Sequence, residues 1–200
     1  MSAFLRQPPW TGPPAVIHGQ QVYLRPPQLG DWAEWAQLRA ESRDFLTPWE
    51  PTWAPDELSR NAYRRRLRRY GRDAREGCGY AFFIFRRADN RLVGGLTLSN
   101  VRRGVTQSCS MGYWMGRPYA GQGHMQDAVC AVIPFVFDDL RLHRLEAACV
   151  PGNERSTGVL AACGFRQEGY AREYLCINGR WQDHLLFALL SGNRPVQLGG

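Results

Sequence analysis

The sequence predicts an α+β fold (α/β three-layer in some schemes) with a mixed, mostly antiparallel sheet of about seven strands flanked by four helices. The chain has 200 residues of which 44% are hydrophobic, enough for one buried core. Its hydrophobic period changes from helical in the first third to strand-like near residue 80. Asn178-Gly179 near the carboxyl end is a strong hairpin signal.

The chain divides into three parts. Residues 1–19 are rich in proline and glycine and predict an irregular tail. Residues 20–190 carry the periodic patterns and predict a single domain, and residues 191–200 predict a second tail. No internal repeat divides the domain.

The amino-terminal part of the domain predicts one strand and two helices. Gln21–Arg25 alternates as a strand, and Asp31 is placed to cap a helix that runs to about Arg43. Three prolines interrupt Phe45–Pro55, so we expect a structured loop there. An arginine-rich helix then follows over about Asp56–Glu76.

The middle of the chain predicts an antiparallel meander of three strands. The segments alternate in hydrophobicity, and a tight turn, "RADN", separates the first two. The three strands are Tyr80–Arg86, Arg91–Ser99 and Thr106–Met115.

The last third of the chain predicts a helix, a strand, a second helix and a final hairpin. A glycine loop containing Gly121 and Gly123 precedes the first helix, which predicts one parallel crossover. The elements are a helix to about Leu140, a strand at Leu145–Val150, a helix at Asn153–Cys163 and strands at Phe165–Ile177 and Trp181–Leu190.

All 25 basic residues are arginine, and the formal charge of +7 suits an anionic ligand or partner. The densest run lies within Arg60 to Arg75, and we expect its side chains to spread around more than one side of the helix. Two interpretations remain open for this run: a solvated helix face, or a contact with RNA or a ribosome.

Six cysteines occur without a Cys-x-x-Cys pair, so the sequence predicts reduced, mostly buried thiols and no metal site. No window reaches the roughly 18 consecutive apolar residues of a membrane helix. The first residues also lack the layout of a signal peptide. We therefore expect a cytoplasmic protein with no membrane contact.

The glycine loop before a helix is typical of a site for a phosphate group. Helix amino termini present unpaired N–H groups and a positive dipole end, and glycine lets the backbone approach the anion closely. A Walker loop is excluded because it ends in Gly-Lys-Ser/Thr and this chain has no lysine. A dinucleotide fingerprint is disfavoured because Gln126 stands where its third glycine is needed.

The surrounding sequence resembles the GNAT superfamily of acetyl-coenzyme A dependent N-acetyltransferases. The segments "GYWMGRPYAGQGHMQDAV", "LHRLEAACVPGNERSTGVLAACGFRQEGYAREY" and "NGRWQDHLLFAL" carry the resemblance, which covers roughly residues 20–190. Within the superfamily it is similar to the RimJ-type ribosomal-protein-alanine N-acetyltransferases. It implies a GNAT-type fold that binds acetyl-coenzyme A (acetyl-CoA).

The resemblance implies where the acetyl donor binds. The pyrophosphate would lie on the backbone of the glycine loop, and the pantetheine arm beside the strand that precedes it. Asn153 and Ser156 would orient the donor, although Asn153 also suits a helix cap. The implied contact residues are Tyr113, Trp114, Met115, Arg117, Gly121, Gln122, Gly123, His124, Met125, Asn153 and Ser156.

Amide formation needs a neutral amine, a base for its proton and a donor for the leaving thiolate. Many family members donate from a tyrosine at the position that is Leu160 here, so Ser156 or a water that it anchors is the candidate donor. An α-amine with a pKa near 8 is partly neutral at pH 7, so a carboxylate suffices as base. Glu173 and Glu50 are the candidate bases, and each could instead position the substrate.

The loop that contains Trp49, Glu50 and Trp53 is expected to line the acceptor groove. The acceptor predicted first is a protein N-terminal α-amine, that of a ribosomal protein. The alternatives are a small-molecule amine (a polyamine, an amino acid, an antibiotic or an aminoacyl nucleotide) and a module that binds coenzyme A or a ribosome without turnover. The sequence is compatible with a monomer or a homodimer.

Overall fold

A computed structural model describes residues 16–194 as one eight-stranded sheet with five α-helices. Strand order is β1-β2-β3-β4-β5-β6-β8-β7, and β5–β6 is the single parallel pair among these strands. The strands are β1 Ile17–His18, β2 Val22–Arg25, β3 Tyr80–Arg86, β4 Leu92–Arg102, β5 Ser108–Met115, β6 Arg144–Cys149, β7 Arg166–Ile177 and β8 Arg180–Leu190. The predicted mostly antiparallel α+β fold with one parallel crossover is confirmed.

The helices cover the two faces of the sheet. They are α1 Trp32–Glu41, α2 Arg43–Leu46, α3 Arg60–Arg75, α4 His124–Pro134 and α5 Glu154–Ala162. One hydrophobic cluster lies between the sheet and α4, and a second lies between the sheet and α1 with α3. Within residues 16–194, none of the helices combines the length and apolar character that a membrane crossing requires.

Two elements were absent from the sequence prediction. Ile17–His18 forms a short strand against β2 in a stretch that we assigned to the irregular tail. The predicted loop Phe45–Pro55 is partly helical, because α2 and a 3-10 turn at Thr47–Trp49 precede its irregular part. Residues 1–15 and 195–200 of the two predicted tails lie outside the described residues.

The predicted helix to Leu140 ends earlier as an α-helix. α4 stops at Pro134, and Phe135–Asp139 continues it as a π-helical turn closed by Leu140 N–H donating to the Phe135 carbonyl at 2.9 Å. Proline has no N–H to donate to the preceding turn, so the regular hydrogen-bond ladder breaks at this position.

The predicted capping role of Asp31 is wrong. Its carboxylate makes no side-chain cap bond to α1. Instead it accepts two hydrogen bonds from the Arg25 guanidinium, at 2.8 and 2.6 Å, and one from the Gln28 backbone. The charged guanidinium is a stronger partner for the carboxylate than a neutral N–H group.

The arginines of α3 spread around more than one side of the helix, as expected. At 100° per residue, its eight arginines span an arc of about 240°. Seven of them are exposed, and all of these except Arg60 fall within an arc of about 140°, the exposed arginine face. Tyr63 and Leu67, on the remaining side, pack into the second cluster. The exposed arginine face consists of Arg64, Arg65, Arg68, Arg69, Arg72 and Arg75.

Candidate active site

The parallel strands β5 and β6 separate half-way along their length. Their pairing runs from Ser108–Arg144 to Met111–Ala147 and then stops, although both strands continue. A cavity of about 670 Å³ fills the gap between the diverging ends. Past Met111 the backbone of β5 therefore has no strand partner on the β6 side and faces the cavity.

One end of the cavity is the glycine loop, which has the geometry of an anion cradle. Gly121 and Gly123 have φ values of +76° and +82°, a left-handed backbone that favours glycine. Gly123 is the N-cap of α4, so the N–H groups of the helix's first turn are directed into this end. A Cβ on either glycine would point into open space, with only Gln21 Nε2 at 3.9 Å from that of Gly123.

His124, the first residue of α4, turns its ring into the protein and not towards solvent. The residue is 6% exposed, and both ring nitrogens are buried without a partner in the described residues. Burial, with help from Arg86, lowers the pKa of His124 below its usual value. The ring is therefore uncharged at neutral pH, and the group that this residue offers an anion is its backbone N–H.

Of the predicted loop residues, Arg117 is not brought to the cavity. Its side chain is exposed, and its backbone N–H donates to Ser42 Oγ at 2.9 Å. Gln122 lines the cavity and donates from its amide to the Pro118 carbonyl, while Met125 is buried beside it.

A pair of hydroxyls lies where β5 faces α5. Tyr113 OH and Ser156 Oγ are 2.8 Å apart, and both residues line the cavity. Asn153 Oδ1 accepts from the Ser156 N–H at 3.1 Å, so Asn153 is the cap of α5 and fixes the position of Ser156. Burial raises the pKa of Tyr113, and its phenol stays protonated.

Comparison with known proteins identifies the family. Residues 21–166 match the sequence profile described as "Acetyltransferase (GNAT) domain". The chain belongs to the GNAT acetyltransferase family. The prediction of an N-acetyltransferase that uses acetyl-CoA is therefore confirmed at the level of the family.

Individual relatives cover most of this acetyltransferase. It is 35% identical over 176 residues (88% of this chain, 97% of the relative) to "Probable N-acetyltransferase YjcK" of Bacillus subtilis. It is 36% identical over 154 residues (77% and 79%) to the "[Ribosomal protein uS5]-alanine N-acetyltransferase" of Escherichia coli. The solved structure "Mycobacterium smegmatis RimJ in complex with CoA-disulfide" superposes with a TM-score of 0.86 at 32% identity, covering 93% of this chain and 90% of that one.

The other end of the acetyltransferase's cavity contains Glu50, whose carboxylate is fully engaged. It accepts from both terminal nitrogens of Arg39, at 2.7 and 2.6 Å, and from Trp53 Nε1 at 2.9 Å. Arg39 is 6% exposed and its guanidinium lies over the rings of Trp53 and Trp114, 4.3 and 4.9 Å from their centroids. The predicted substrate residue Trp49 lines the cavity. Trp53, also predicted, does not line it and instead donates its hydrogen bond to Glu50.

The β7–β8 hairpin contacts this loop at its turn. The Asn178 backbone N–H donates to the Glu50 carbonyl at 2.9 Å, which joins the two segments across one side of the cavity mouth. The hairpin turn therefore adjoins the end of the cavity that contains Glu50.

Glu173 lies on a bulge of β7 between Ala171 and Leu175, with φ +45°. Its backbone N–H donates to Asp183 Oδ1 at 2.8 Å, and its side chain is exposed and is not part of the cavity wall. Asp183 also accepts from the Tyr170 hydroxyl, which lowers the pKa of Asp183. The sequence-predicted residues Glu173 and Ser156 therefore lie apart: Ser156 lines the cavity and Glu173 does not.

Sequence reasoning missed three residues of this site. Arg39 supports Glu50; Arg155 of α5 lies over the Phe45 ring at 5.1 Å, bridging two walls of the cavity; and His184 of β8 lines the cavity while only 2% exposed. Strand alternation in "RWQDHLLFALL" was the available signal for His184, because it places a histidine at an inward position. The contact between Arg155 and Phe45 had no local signal.

The six cysteines are free thiols in the described residues. The expectation that most are buried is met only by Cys109, Cys149 and Cys163, since Cys130 is half-buried and Cys78 and Cys176 are exposed. Cys149 lines the cavity, and burial raises the pKa of its thiol, so it is a poor nucleophile. At the end of α3, ligand atoms of Asp73, Glu76 and Cys78 lie within 4.8 Å of one another. This surface group is not part of the cavity wall.

Proposed function

We propose that this enzyme transfers the acetyl group of acetyl-CoA to the α-amine of a protein N-terminus, that of a ribosomal protein. The observation that carries the proposal is a continuous cavity with two unlike ends. The glycine loop forms one end, and Trp49, Glu50 and the adjoining β7–β8 turn frame the other. The similarity to the enzyme named for ribosomal protein uS5 supports the same acceptor, and such an acceptor would place the enzyme in the cytoplasm.

We assign the acetyl donor to the end of the cavity formed by the glycine loop. The backbone N–H groups of Gly121 to Met125 would hold its pyrophosphate, because left-handed glycines and a helix amino terminus converge there. Its extended arm would pair with the free edge of β5 at Tyr113, Trp114 and Met115, where β6 has diverged. Arg117 has no part in this assignment, since it is exposed and does not line the cavity.

A small polyamine suits the acceptor end less well. A polyamine carries several cationic amines and needs unpaired carboxylates for recognition. Glu50 is neutralised by its ion pair with Arg39, which leaves Glu154, exposed in the first turn of α5, as the single other carboxylate in the described cavity lining. An N-terminal α-amine, with a pKa near 8, enters with a larger neutral fraction than an alkyl amine whose pKa is about 10.

The test is a thiol-release assay at pH 7.5 with a panel of amines. The panel contains peptides beginning with Ala, Ser and Met, the same peptides with a blocked N-terminus and one internal lysine, spermidine, free amino acids and an aminoglycoside. We expect free N-terminal peptides to exceed all other amines in kcat/KM by at least roughly 10-fold, about 1.4 kcal/mol of transition-state binding. Equal or faster thiol release with spermidine or an aminoglycoside would show that the acceptor is a small-molecule amine and not a protein N-terminus.

We propose Ser156, supported by Tyr113, as the group that protonates the leaving thiolate. Leu160, at the position that the family's tyrosine occupies, is buried at 1% exposure and carries no proton to give. The Tyr113 hydroxyl lies 2.8 Å from Ser156 Oγ and stays protonated, so it can return a proton to Ser156.

Removing either hydroxyl should reduce kcat more than it changes KM. We expect a loss of roughly 100-fold for Ser156→Ala and roughly 10-fold for Tyr113→Phe, with the affinity for acetyl-CoA changed less. Tyr23→Phe is the matched control, because the Tyr23 ring stacks on Phe85 and its hydroxyl has no partner in the described residues. Unchanged kcat with weakened acetyl-CoA affinity would show that the pair only holds the donor.

We propose that the exposed arginine face of α3 contacts the phosphate backbone of RNA on the ribosome that presents the substrate. Of its six arginines, Arg65 pairs with Asp56 and Arg72 lies 3.7 Å from Asp73. Arg64, Arg68 and Arg75 have no acidic partner in the described residues. Free guanidinium groups on one face suit the negative charge of phosphates.

Replacing Arg64, Arg68 and Arg75 by glutamine should weaken binding to a short RNA hairpin. We expect the slope of log K against log salt to decrease by up to about 3, since each phosphate contact contributes close to one. The control replaces Arg102, Arg141 and Arg166 by glutamine, which removes the same charge from other exposed positions. Fluorescence anisotropy measures the RNA affinity of both triple variants. An equal loss of affinity in the two would show that RNA binds through the overall positive charge and not through the exposed arginine face of α3.

A further inference from the structure

His184 is a buried titratable group that the proposed chemistry has not used. It is 2% exposed, lies in β8 and lines the acceptor side of the cavity. The β6–β8 pairing ends with Cys149 opposite Leu185, and His184 is the next residue of β8 beyond that pair. It therefore lies beside the end of β6 that diverges from β5. Its surroundings therefore include the gap in which the acetyl group and the amine must meet.

Hydrogen bonding fixes the tautomer of the His184 ring. Nδ1 lies 2.9 Å from the Gln182 carbonyl oxygen, and a carbonyl oxygen only accepts, so Nδ1 carries a proton. In the neutral ring Nε2 is then the acceptor, and it has no partner in the described residues. A neutral imidazole with an anchored Nδ1–H and a free Nε2 is the arrangement that a general base requires.

The neighbours of His184 hold its ring in place. Tyr174 meets the ring edge-on, with the centroids 5.7 Å apart. Tyr174 follows the bulge at Glu173, and Asp183, adjacent to His184 in β8, holds that bulge through the Glu173 N–H. Of the charged residues that line the described cavity, Glu50 is paired with Arg39, while Glu154 and Arg155 are exposed residues of the first turn of α5. Glu50 is therefore less suited than His184 to accept a proton.

We infer that His184 is the base that takes the proton of the acceptor amine. The amine nitrogen forms a bond to the thioester carbonyl carbon, and its proton passes to Nε2 of His184, directly or through one water. The carbon–sulfur bond breaks, its electron pair stays on sulfur, and the thiolate takes a proton from Ser156. The products are the N-acetyl amide and the free thiol. His184 releases its proton to solvent, and Ser156 regains a proton from solvent through the Tyr113 hydroxyl.

The inference differs from the sequence prediction, which assigned the base to Glu173 or Glu50. It holds for any amine that the enzyme acetylates, so the test uses whichever amine of the panel gives the fastest thiol release. A negative result for His184 therefore does not contradict the proposed N-terminal acceptor. If the acceptor proves to be a different amine, the test of His184 can still be carried out with that amine.

The experiment compares His184→Asn, His184→Ala and the wild type. The asparagine amide keeps a donor for the Gln182 carbonyl but has no acceptor at the position of Nε2, so it preserves the structural contact and removes the base. We expect kcat to fall by roughly 100-fold in both variants, with the acetyl-CoA affinity measured by calorimetry unchanged. Added imidazole should restore part of the activity of His184→Ala. His143→Gln, which changes an exposed histidine, is the control.

The response to added imidazole separates a base from a structural residue. Imidazole supplies the missing proton acceptor in His184→Ala, and the Glu173→Gln variant should keep wild-type kcat because His184 is intact. A wild-type kcat in His184→Asn would overturn the inference. So would a loss of activity in His184→Ala that imidazole leaves unchanged.

Discussion

Replacing Gly123 by glutamate is expected to abolish binding of acetyl-CoA. Gly123 caps α4 at φ +82°, and a side chain there would project into the open end of the cavity. A carboxylate at this place repels a pyrophosphate by several kcal/mol, so we expect the dissociation constant to rise by at least roughly 100-fold. Isothermal calorimetry with acetyl-CoA measures the change directly.

Backbone strain needs its own control, since a residue other than glycine in this conformation costs about 1–2 kcal/mol. Gly104 has φ +70°, is exposed, and has no atom within 4 Å of a Cβ. Gly104→Glu therefore adds comparable strain and the same charge away from the cavity, and it should bind acetyl-CoA normally. An unchanged affinity for acetyl-CoA in Gly123→Glu would show that the pyrophosphate does not bind at the glycine loop.

Replacing Glu50 by alanine is expected to destabilise the protein by about 3 kcal/mol. The change leaves the guanidinium of Arg39, which is 6% exposed, without its bidentate carboxylate partner. An unpaired buried charge is costly, whereas removing both members of a buried pair is often nearly neutral. We therefore expect the double variant, Arg39→Met with Glu50→Ala, to lose less free energy of unfolding than the sum of the losses in the two single variants.

Urea unfolding at pH 7 measures these free energies. The surface pair Arg65–Asp56, with side chains 56% and 52% exposed, is the matched control, and Asp56→Ala should cost below about 1 kcal/mol. Similar losses of unfolding free energy in Glu50→Ala and Asp56→Ala would mean that the Arg39–Glu50 pair does not stabilise the loop that contains Trp49, Glu50 and Trp53.

The glycine-loop end of the cavity could be predicted as a structural feature because its signals are local. Gly121 and Gly123 precede a helix, and Asn153 precedes another, so short stretches of sequence specify two helix amino termini. The β7–β8 turn at Asn178-Gly179 is local in the same sense. Element boundaries were less certain where one residue overrode a pattern, as Pro134 did in α4.

The acceptor end could not be predicted because its contacts join residues that are distant in sequence. Glu50 was a candidate base until the fold placed Arg39 against it, and the bidentate ion pair makes it a structural group. Glu173 was a candidate because of its place along β7, but a bulge rotates it out of the wall. Periodicity alone does not report a bulge, since one irregular residue changes which side of the strand faces inward.

The sequence by itself determined the fold class, the order of the main elements, the family and the glycine loop at a helix amino terminus. Each of these depends on hydrophobic period, turn residues or short motifs, which act over a few residues. Only the tertiary structure decided that Arg39 pairs with Glu50, that Tyr113 lies beside Ser156, and that His184 lines the cavity. Those facts depend on where β5 and β6 diverge and on how β7 and β8 close beside them, because packing between distant segments sets which side chains meet.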